Sequence, residues 1–163
     1  MQNEEKIIGL GAGRLYLAPA SGTEEQAQDS RYFAGPTRGG VTLVWSARIH
    51  EITDYTGRLV RAIRFGERVR LEGRLARLSP VLFSYMTGRW ERERLPASRT
   101  RMRVVLRCAL PQAAGGGEMV FSMIASQTGT PSLTLHSSRD SSYPFTLTAE
   151  SDDAGMTGRL VFG

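Results

Sequence analysis

A glycine-rich stretch near the start of the chain is the first place where chemistry is conceivable. Gly9, Gly11 and Gly13 lie in "GLGAG", a spacing that suggests a loop around the phosphates of a dinucleotide. That fingerprint requires a strand before the glycines and a helix after them. Here the β-prone stretch "RLYLAP" follows instead. The glycines are therefore interpreted as a lead-in to the first strand.

Two histidines have neighbours that could support hydrolytic chemistry. His50 and Glu51 are adjacent in "RIHEITD", so on a strand they point to opposite faces and cannot act together. His136 has serines and Asp140 nearby, but the chain contains no GxSxG nucleophile motif. The sequence therefore predicts no catalytic residues and favours a protein that is not an enzyme.

Metal-binding patterns are equally weak. Cys108 is the single cysteine, and with two histidines in the whole chain it cannot complete a typical zinc site. The acidic stretch "ESDD" at 150–153 lacks the alternating ligands of an EF-hand loop, which favours a solvated turn over a calcium site. We expect neither metal nor cofactor.

Arginine supplies nearly all of the positive charge. The formal net charge is +5, and Lys6 is the only lysine. Four arginines recur at even positions of a predicted strand: Arg64, Arg68, Arg70 and Arg74. Such a face could meet phosphates, but Glu72 interrupts it, so a solvated face or a salt-bridge ladder between subunits is favoured. These arginines are candidate interface or surface residues.

Size and composition indicate one globular domain. The 163 residues are 40% hydrophobic, enough for a core, so we treat 1–163 as a single domain. No apolar run reaches the roughly 18 residues of a membrane-spanning helix. The start "MQNEEKIIGLGAG" has acids where a signal peptide needs a basic start, and its apolar stretch is too short. We expect synthesis and retention in the cytoplasm, without a membrane partner.

Strand patterns dominate the chain, and helical periodicity is nearly absent. Residues 61–77 alternate between apolar and charged, the pattern of a half-buried strand. One short helix is predicted over 79–88, with Ser79 as N-cap and Gly88 at its end. A polar loop is expected over 21–30. The predicted strands are 13–19, 31–35, 39–54, 58–77, 101–111, 119–127, 132–138, 143–152 and 156–163.

These elements predict a mainly β fold. We expect two packed antiparallel sheets, as a sandwich or partial barrel, with one flanking helix and a long hairpin over 39–77. Glu67 breaks the apolar face beside Gly66, which predicts a bulge or turn there. A long hairpin leaves unpaired edges that monomeric proteins avoid. Assembly with other subunits is one way to cover them.

The order of several motifs resembles the major tail proteins, or tail tube proteins, of tailed bacteriophages. The motifs are "GAGRLYLAP", "RYFAGPTRGGVTLVW", "HEITDYTG", "EGRLARLSPVLFSYMTG" and "PFTLTAESDDAGMTGRLVFG", which together span most of the chain. The resemblance implies six subunits per ring and rings stacked into a hollow tube. Strands of all six subunits would join into one barrel around the lumen.

The resemblance also implies partners and a location. The tube would sit in the tail of the virion, after assembly in the host cytoplasm, and would conduct DNA to the host cell. A tape-measure protein and DNA would occupy the lumen, and a tail terminator and distal tail or baseplate proteins would contact the ends. The chain itself would do no chemistry.

Candidate interface residues follow from this picture. The hairpin tip and a flexible N-terminal arm over 1–13 are expected to contact the next ring. Candidates for ring stacking or subunit contact are Asp54, Tyr55, Thr56, Gly57, Arg58, Gly11, Gly13, Arg38, Gly39 and Gly40. Because a basic wall would retain DNA, acids are expected nearer the lumen: Glu51, Asp54, Glu150 and Asp152.

Two other functions also fit the sequence. The chain could form the inner tube of a contractile tail or tailocin, which the sequence discriminates poorly. It could also be a monomeric β-sandwich that binds carbohydrate or nucleic acid through an exposed groove.

Overall fold

The computed structural model describes residues 2–77, 101–110, 112–127, 142–150 and 158–163. These residues form nine strands, one short helix α1 (Glu24–Ala27) and two 3-10 turns, at Ser30–Tyr32 and Gln112–Ala114. The strands are β1 (Gln2–Leu10), β2 (Gly13–Pro19), β3 (Phe33–Pro36), β4 (Val41–Thr53), β5 (Leu59–Leu75), β6 (Arg101–Ala109), β7 (Glu118–Gln127), β8 (Tyr143–Glu150) and β9 (Arg159–Phe162).

All strand pairs are antiparallel and belong to one sheet. Its order is β1-β4-β5-β8-β7-β6-β2-β3, and β9 pairs with β7 beside the first residues of that strand. The prediction of a mainly β fold is therefore confirmed. The division into two packed sheets stays a prediction, because the described strands share one continuous hydrogen-bonded network.

The far end of the sheet returns to its middle. Thr37, just after β3, forms a bridge with Leu75 at the end of β5. Two backbone hydrogen bonds flank this bridge: Arg38 N donates to Arg74 O at 2.7 Å, and Ala76 N donates to Pro36 O at 3.0 Å. The sheet thus curls until β3 meets the C-terminal end of β5.

Curling gives the sheet a single main interior. Leu15 and Leu17 from β2, Val104 from β6 and Leu71 from β5 are almost completely buried in one hydrophobic cluster. A smaller cluster lies on the other face of β2, where Tyr16 and Ala18 pack against α1. Burial on both faces explains why β2 is apolar without strict alternation.

The helix α1 lies inside the segment that the sequence predicts as a polar loop, so that prediction was wrong there. Thr23 and Gln26 form a reciprocal capping box: Gln26 N donates to Thr23 Oγ1 at 3.2 Å, and Thr23 N donates to Gln26 Oε1 at 3.0 Å. Ser122 Oγ donates to Glu24 Oε2 at 2.6 Å. This bond links α1 to β7, while the helix packs on β2 and β6.

The N-terminal arm was expected over 1–13 as a flexible segment, and its contact with the next ring stays a prediction. Residues 2–10 of this arm form β1 and pair with β4 from Gln2 opposite Ile49 to Leu10 opposite Val41. The backbone groups that face β4 are therefore satisfied within the chain. The helix expected over 79–88 and the strand expected over 132–138 lie outside the described residues.

Candidate assembly surface

The long hairpin of β4 and β5 extends well beyond the core. β5 contains 17 residues, and its first ten are exposed, whereas burial begins at Val69. β4 is buried at Val41, Leu43 and Ala47, and its last residues are exposed. The hairpin anticipated over 39–77 therefore has a core half and a projecting half.

Two edges of this projecting region carry no strand among the described residues. Among the described strands β1 pairs with β4 alone, so no described strand lies along its opposite edge from Gln2 to Leu10. β5 pairs with β8 only from Arg70 onward, so its edge is open over 59–69. We call β1, β4 and residues 59–69 of β5 the ribbon. Its two open edges lie on opposite sides.

The ribbon exposes many large apolar side chains. Monomeric proteins normally shorten, charge or cover such edges, because unpaired backbone groups beside apolar residues promote association. The exposed apolar residues of the ribbon are Ile7, Ile8, Ile52, Leu59, Val60, Ile63 and Phe65. The surface therefore has the composition of a contact region.

A bulge divides β5 into two parts. Even-numbered residues point to one face of the sheet before the bulge and to the other face after it. Ser46 pairs with Arg68 and Arg48 pairs with Phe65, so β5 has one residue more than β4 between these pairs. Gly66 has a φ of +63°, a left-handed conformation that glycine adopts without strain. The predicted bulge at Gly66 and Glu67 is confirmed.

This bulge overturns the predicted single face of four arginines. Arg68, Arg70 and Arg74 lie on the outer face, which points away from the core. Arg64 pairs with Ile49 and therefore lies on the core-side face, the face that carries Leu43 and Leu71. One inserted residue reverses every later side chain, so the alternation counted along the sequence does not hold through Gly66.

Arg64 is engaged by residues of β1 on the core-side face. Its Nε lies 3.0 Å from Glu4 Oε2, and Lys6 Nζ lies 3.4 Å from Glu4 Oε1. Lys6 also lies over the ring of Trp45, 5.1 Å from its centroid. Trp45 packs against the core. This polar cluster links β1 to both strands of the hairpin.

The other predicted arginines have varied surroundings. Arg70 forms an ion pair with Glu72, the acid that interrupts the predicted face. Arg74 donates to Ser142 Oγ at 3.3 Å. Arg68 is exposed at the bulge.

The hairpin tip is an ordered turn built on one carboxylate. Asp54 Oδ1 accepts hydrogen bonds from Thr56 N at 2.8 Å, Thr56 Oγ1 at 2.6 Å and Arg58 N at 3.0 Å. Gly57 supplies the left-handed residue, with a φ of +81°. The Thr56 hydroxyl, and then the Arg58 amide, lower the pKa of Asp54. The turn presents Tyr55 with its side chain fully exposed.

The predicted interface glycines also have roles inside the chain, and their part in a contact between subunits stays a prediction. A Cβ on Gly13 would lie 2.5 Å from Arg107 O, and one on Gly40 would lie 2.8 Å from Leu10 O. Both sites therefore require glycine because backbones approach closely. Gly39 turns the chain with a φ of +76°, and Gly11 O accepts a hydrogen bond from Cys108 Sγ. Arg38 ties β3 to β5 through its backbone amide.

The acids expected near a lumen do not form one group. Glu51 is exposed on the core-side face of the ribbon, opposite Ala62. Asp54 lies at the tip. Glu150 is at the end of β8 and forms an ion pair with Arg101, with 2.7 Å between Oε2 and Nε. Asp152 lies outside the described residues.

Sequence reasoning missed β1 and its open edge. Residues 2–10 place charged residues before apolar ones and show no alternation, so only the pair Ile7 and Ile8 signalled a strand. The described part of the chain contains no group of three or more metal-ligating side chains. No helix within the described ranges is long and apolar enough to span a membrane.

Comparison with known proteins identifies no family: no family model matches the chain, and no curated protein is significantly similar to it. The assembly surface is therefore interpreted from its own geometry and from the motif resemblance.

Proposed function

We propose that this protein is a structural subunit that assembles with copies of itself into a tube, as the tail tube subunit of a bacteriophage. The observation that carries the proposal is the pair of open edges on opposite sides of the ribbon. β1 and β5 each run antiparallel to β4. They are therefore parallel to one another, and β1 of one copy can add beside β5 of the next copy in the same direction.

Such a contact joins two different surfaces. A head-to-tail contact of this kind closes into a ring or continues as a helix, rather than stopping at a dimer. Both outcomes are compatible with a tube of stacked rings. In a ring each ribbon would contribute three strands, and pairing would cover the open edges.

Pairing of some arginines within the chain is compatible with a conduit that does not retain DNA. Arg64, Arg70, Arg101 and Arg107 each lie against a carboxylate of the same chain, namely Glu4, Glu72, Glu150 and Glu118. Arginines paired in this way contribute less to phosphate binding than free ones. Glu51, which is exposed on the projecting half of the hairpin, and Asp54, which is half-buried at its tip, remain our candidates for the lumen wall.

The proposal includes the partners implied by the resemblance. DNA and a tape-measure protein would pass through the lumen, and terminator and distal tail proteins would contact the two ends. The tip turn, with Tyr55 exposed on a fixed backbone, suits contact with the next ring. A two-sheet arrangement of each subunit also belongs to this proposal.

Self-assembly can be tested on the purified chain by size-exclusion chromatography over a range of concentrations, with negative-stain electron microscopy of the same fractions. We expect association that grows with concentration and hollow rings or tubes on the grid. A monomer at every concentration, together with saturable binding of an oligosaccharide or of single-stranded DNA, would instead support a monomeric binding module.

A further inference from the structure

The ribbon also limits how two copies can align. We propose that residues 5–9 of β1 in one copy pair in parallel with residues 61–65 of β5 in the next copy, so that Ile7 lies beside Ile63. This inference rests on the proposed function, because it specifies the register of the contact between subunits.

The available length of β5 is the first constraint. Its open edge is interrupted twice, at Val60, where a second extra residue occurs, and at Gly66 and Glu67. Only residues 61–65 keep a regular alternation beside the open edge. An added strand must follow that alternation, since each side chain has to share a face with its neighbour.

The facing of the residues is the second constraint. On the outer face β5 presents Arg61, Ile63 and Phe65, whose partners on β4 are Ile52, His50 and Arg48. On the same face β1 presents its odd-numbered residues, since Ile7 pairs with Val44 and Glu5 with Ser46. Odd residues of β1 must therefore lie beside odd residues of β5. Only two registers then place a residue of β1 beside each of residues 61–65 of β5. One register uses residues 3–7 of β1, and the other uses residues 5–9.

Side-chain chemistry decides between these two registers. With residues 3–7, Lys6 lies beside Arg64, which places like charges together. Like charges on neighbouring strands are destabilising.

With residues 5–9, three favourable neighbours form on the outer face. Glu5 lies beside Arg61, Ile7 beside Ile63, and Gly9 beneath Phe65. A Cβ on Gly9 would have no atom within 4 Å in the free chain, so the space above this glycine is open to an aromatic ring. Aromatic side chains commonly cover strand glycines in this way. Ile7 is 68% exposed and Ile63 38% exposed in the single chain, and the contact would bury both.

Cysteine pairs test the register directly. Within one chain, Ile7 pairs with Val44 and Ile63 with His50, six residues further along β4. The two positions are therefore about 20 Å apart along the strands, beyond disulfide reach. A disulfide in the double variant Ile7→Cys/Ile63→Cys must then link two copies. We expect mild oxidation of the assembled protein to give a ladder of covalent multimers on a non-reducing gel.

Two further pairs serve as controls. Ile7→Cys/Phe65→Cys reports the alternative register, and Ile7→Cys/Ala62→Cys places the thiols on opposite faces. The native Cys108 is buried. The single variant Ile7→Cys measures any crosslinking that does not need the second introduced cysteine, including crosslinking through Cys108. We expect the double variant Ile7→Cys/Ile63→Cys to give at least about tenfold more covalent multimer than either other pair.

A charge exchange provides an independent readout if the cysteine variants fold poorly. Glu5→Arg should raise the concentration needed for assembly about tenfold, and the double variant Glu5→Arg/Arg61→Glu should restore it. Tubes or rings that crosslink through 7/65, or that assemble equally well with Glu5→Arg, would overturn the register and leave the proposed function standing. A chain that neither associates nor crosslinks in any variant would overturn the proposed function itself.

Discussion

Arg64 and Arg68 point to opposite faces of β5 although both occupy even positions of the same strand. The extra residue at Gly66 and Glu67 separates them. Arg64 is thereby placed against Glu4 on the core-side face, and Phe65 and Ile63 are brought to the outer face. The bulge decides which side chains the projecting half of the hairpin offers to a partner.

Replacing the bulge glycine should therefore destabilise the subunit. Gly66→Ala places a Cβ in a left-handed conformation, φ +63°, which costs about 1–2 kcal/mol. Nothing lies within 4 Å of the new Cβ, so the loss reports backbone strain and not a clash. Urea unfolding of the dilute protein measures the loss. Gly9→Ala, equally open but without a positive φ, should change the free energy of unfolding by less than about 0.5 kcal/mol. Equal stability of the two variants would contradict the bulge geometry.

Substitutions at Gly13 and Gly11 test whether these glycines are needed for folding or for contact between subunits. Gly13→Ala would bring a Cβ to 2.5 Å from Arg107 O and 2.7 Å from Cys108 Sγ, which forces β2 away from β6. We expect a loss of about 1–3 kcal/mol in thermal or urea unfolding of the dilute subunit. In Gly11→Ala the nearest atom lies at 3.5 Å, an ordinary contact, and stability should be nearly unchanged. If Gly13→Ala unfolds like the wild type and only assembly suffers, the glycine serves the interface instead.

The hairpin tip should respond to acid. Hydrogen bonds from Thr56 and Arg58 lower the pKa of Asp54 below its ordinary value of 3.8. Because the native pKa is depressed, the turn is fully stabilised above pH 3.8 and loses that contribution as the pH falls through the native value. An NMR titration that follows the amide protons of Thr56 and Arg58 should show a midpoint below 3.8.

The same titration identifies the source of the shift. Thr56→Val removes the hydroxyl that contributes most and should move the midpoint of Asp54 up toward 3.8. Tyr55→Phe, which leaves these hydrogen bonds intact, should not move it. An unchanged midpoint in Thr56→Val would mean that the backbone amides alone determine the pKa.

Cys108 should react slowly in the folded subunit. Its side chain is buried in the main hydrophobic cluster, and burial, followed by the charge of Glu118, raises the pKa of the thiol. Since the thiolate is the reactive form, a disulfide reagent at one fixed alkaline pH should label the native protein at least about tenfold more slowly than the protein in urea. Equally fast labelling would show that this part of the sheet opens readily, and the crosslinking tests would then require a Cys108→Ala background.

The sequence predicted those elements whose signals are local. The alternation of 61–77 identified β5, and from Val69 onward it reflects burial of one face on the core. The break at Glu67 located the bulge. The capping box of α1 was also present in the sequence, as Thr23 followed three residues later by Gln26, but the polar composition concealed it.

Features that depend on distant pairing could not be predicted in this way. β1 pairs with a strand that begins at Val41, and nothing in its own residues specifies that partner. The face of the sheet on which Arg64 lies depends on the register of β4 against β5. Counting residues along one strand does not reveal that register. The open edges, on which the proposed function depends, appear only from the pairing of the described strands.

Tyr55 tests whether the tip mediates contact between rings. Its side chain is fully exposed, while Asp54 and Gly57 hold the backbone beneath it in one conformation, so binding would order little additional chain. Exposed aromatic residues on fixed turns often dominate the energy of an interface. We expect Tyr55→Ala to keep the stability of the dilute subunit within about 0.5 kcal/mol.

The same variant should reduce tube formation about tenfold or more, with single rings still visible by electron microscopy. Glu25→Ala, on the exposed face of α1, serves as the matched surface control and should form tubes like the wild type. Tubes of normal number and length from Tyr55→Ala would exclude the tip as a stacking anchor. Loss of the rings themselves would instead place Tyr55 in the contact between neighbouring subunits, where the edges of β1 and β5 meet.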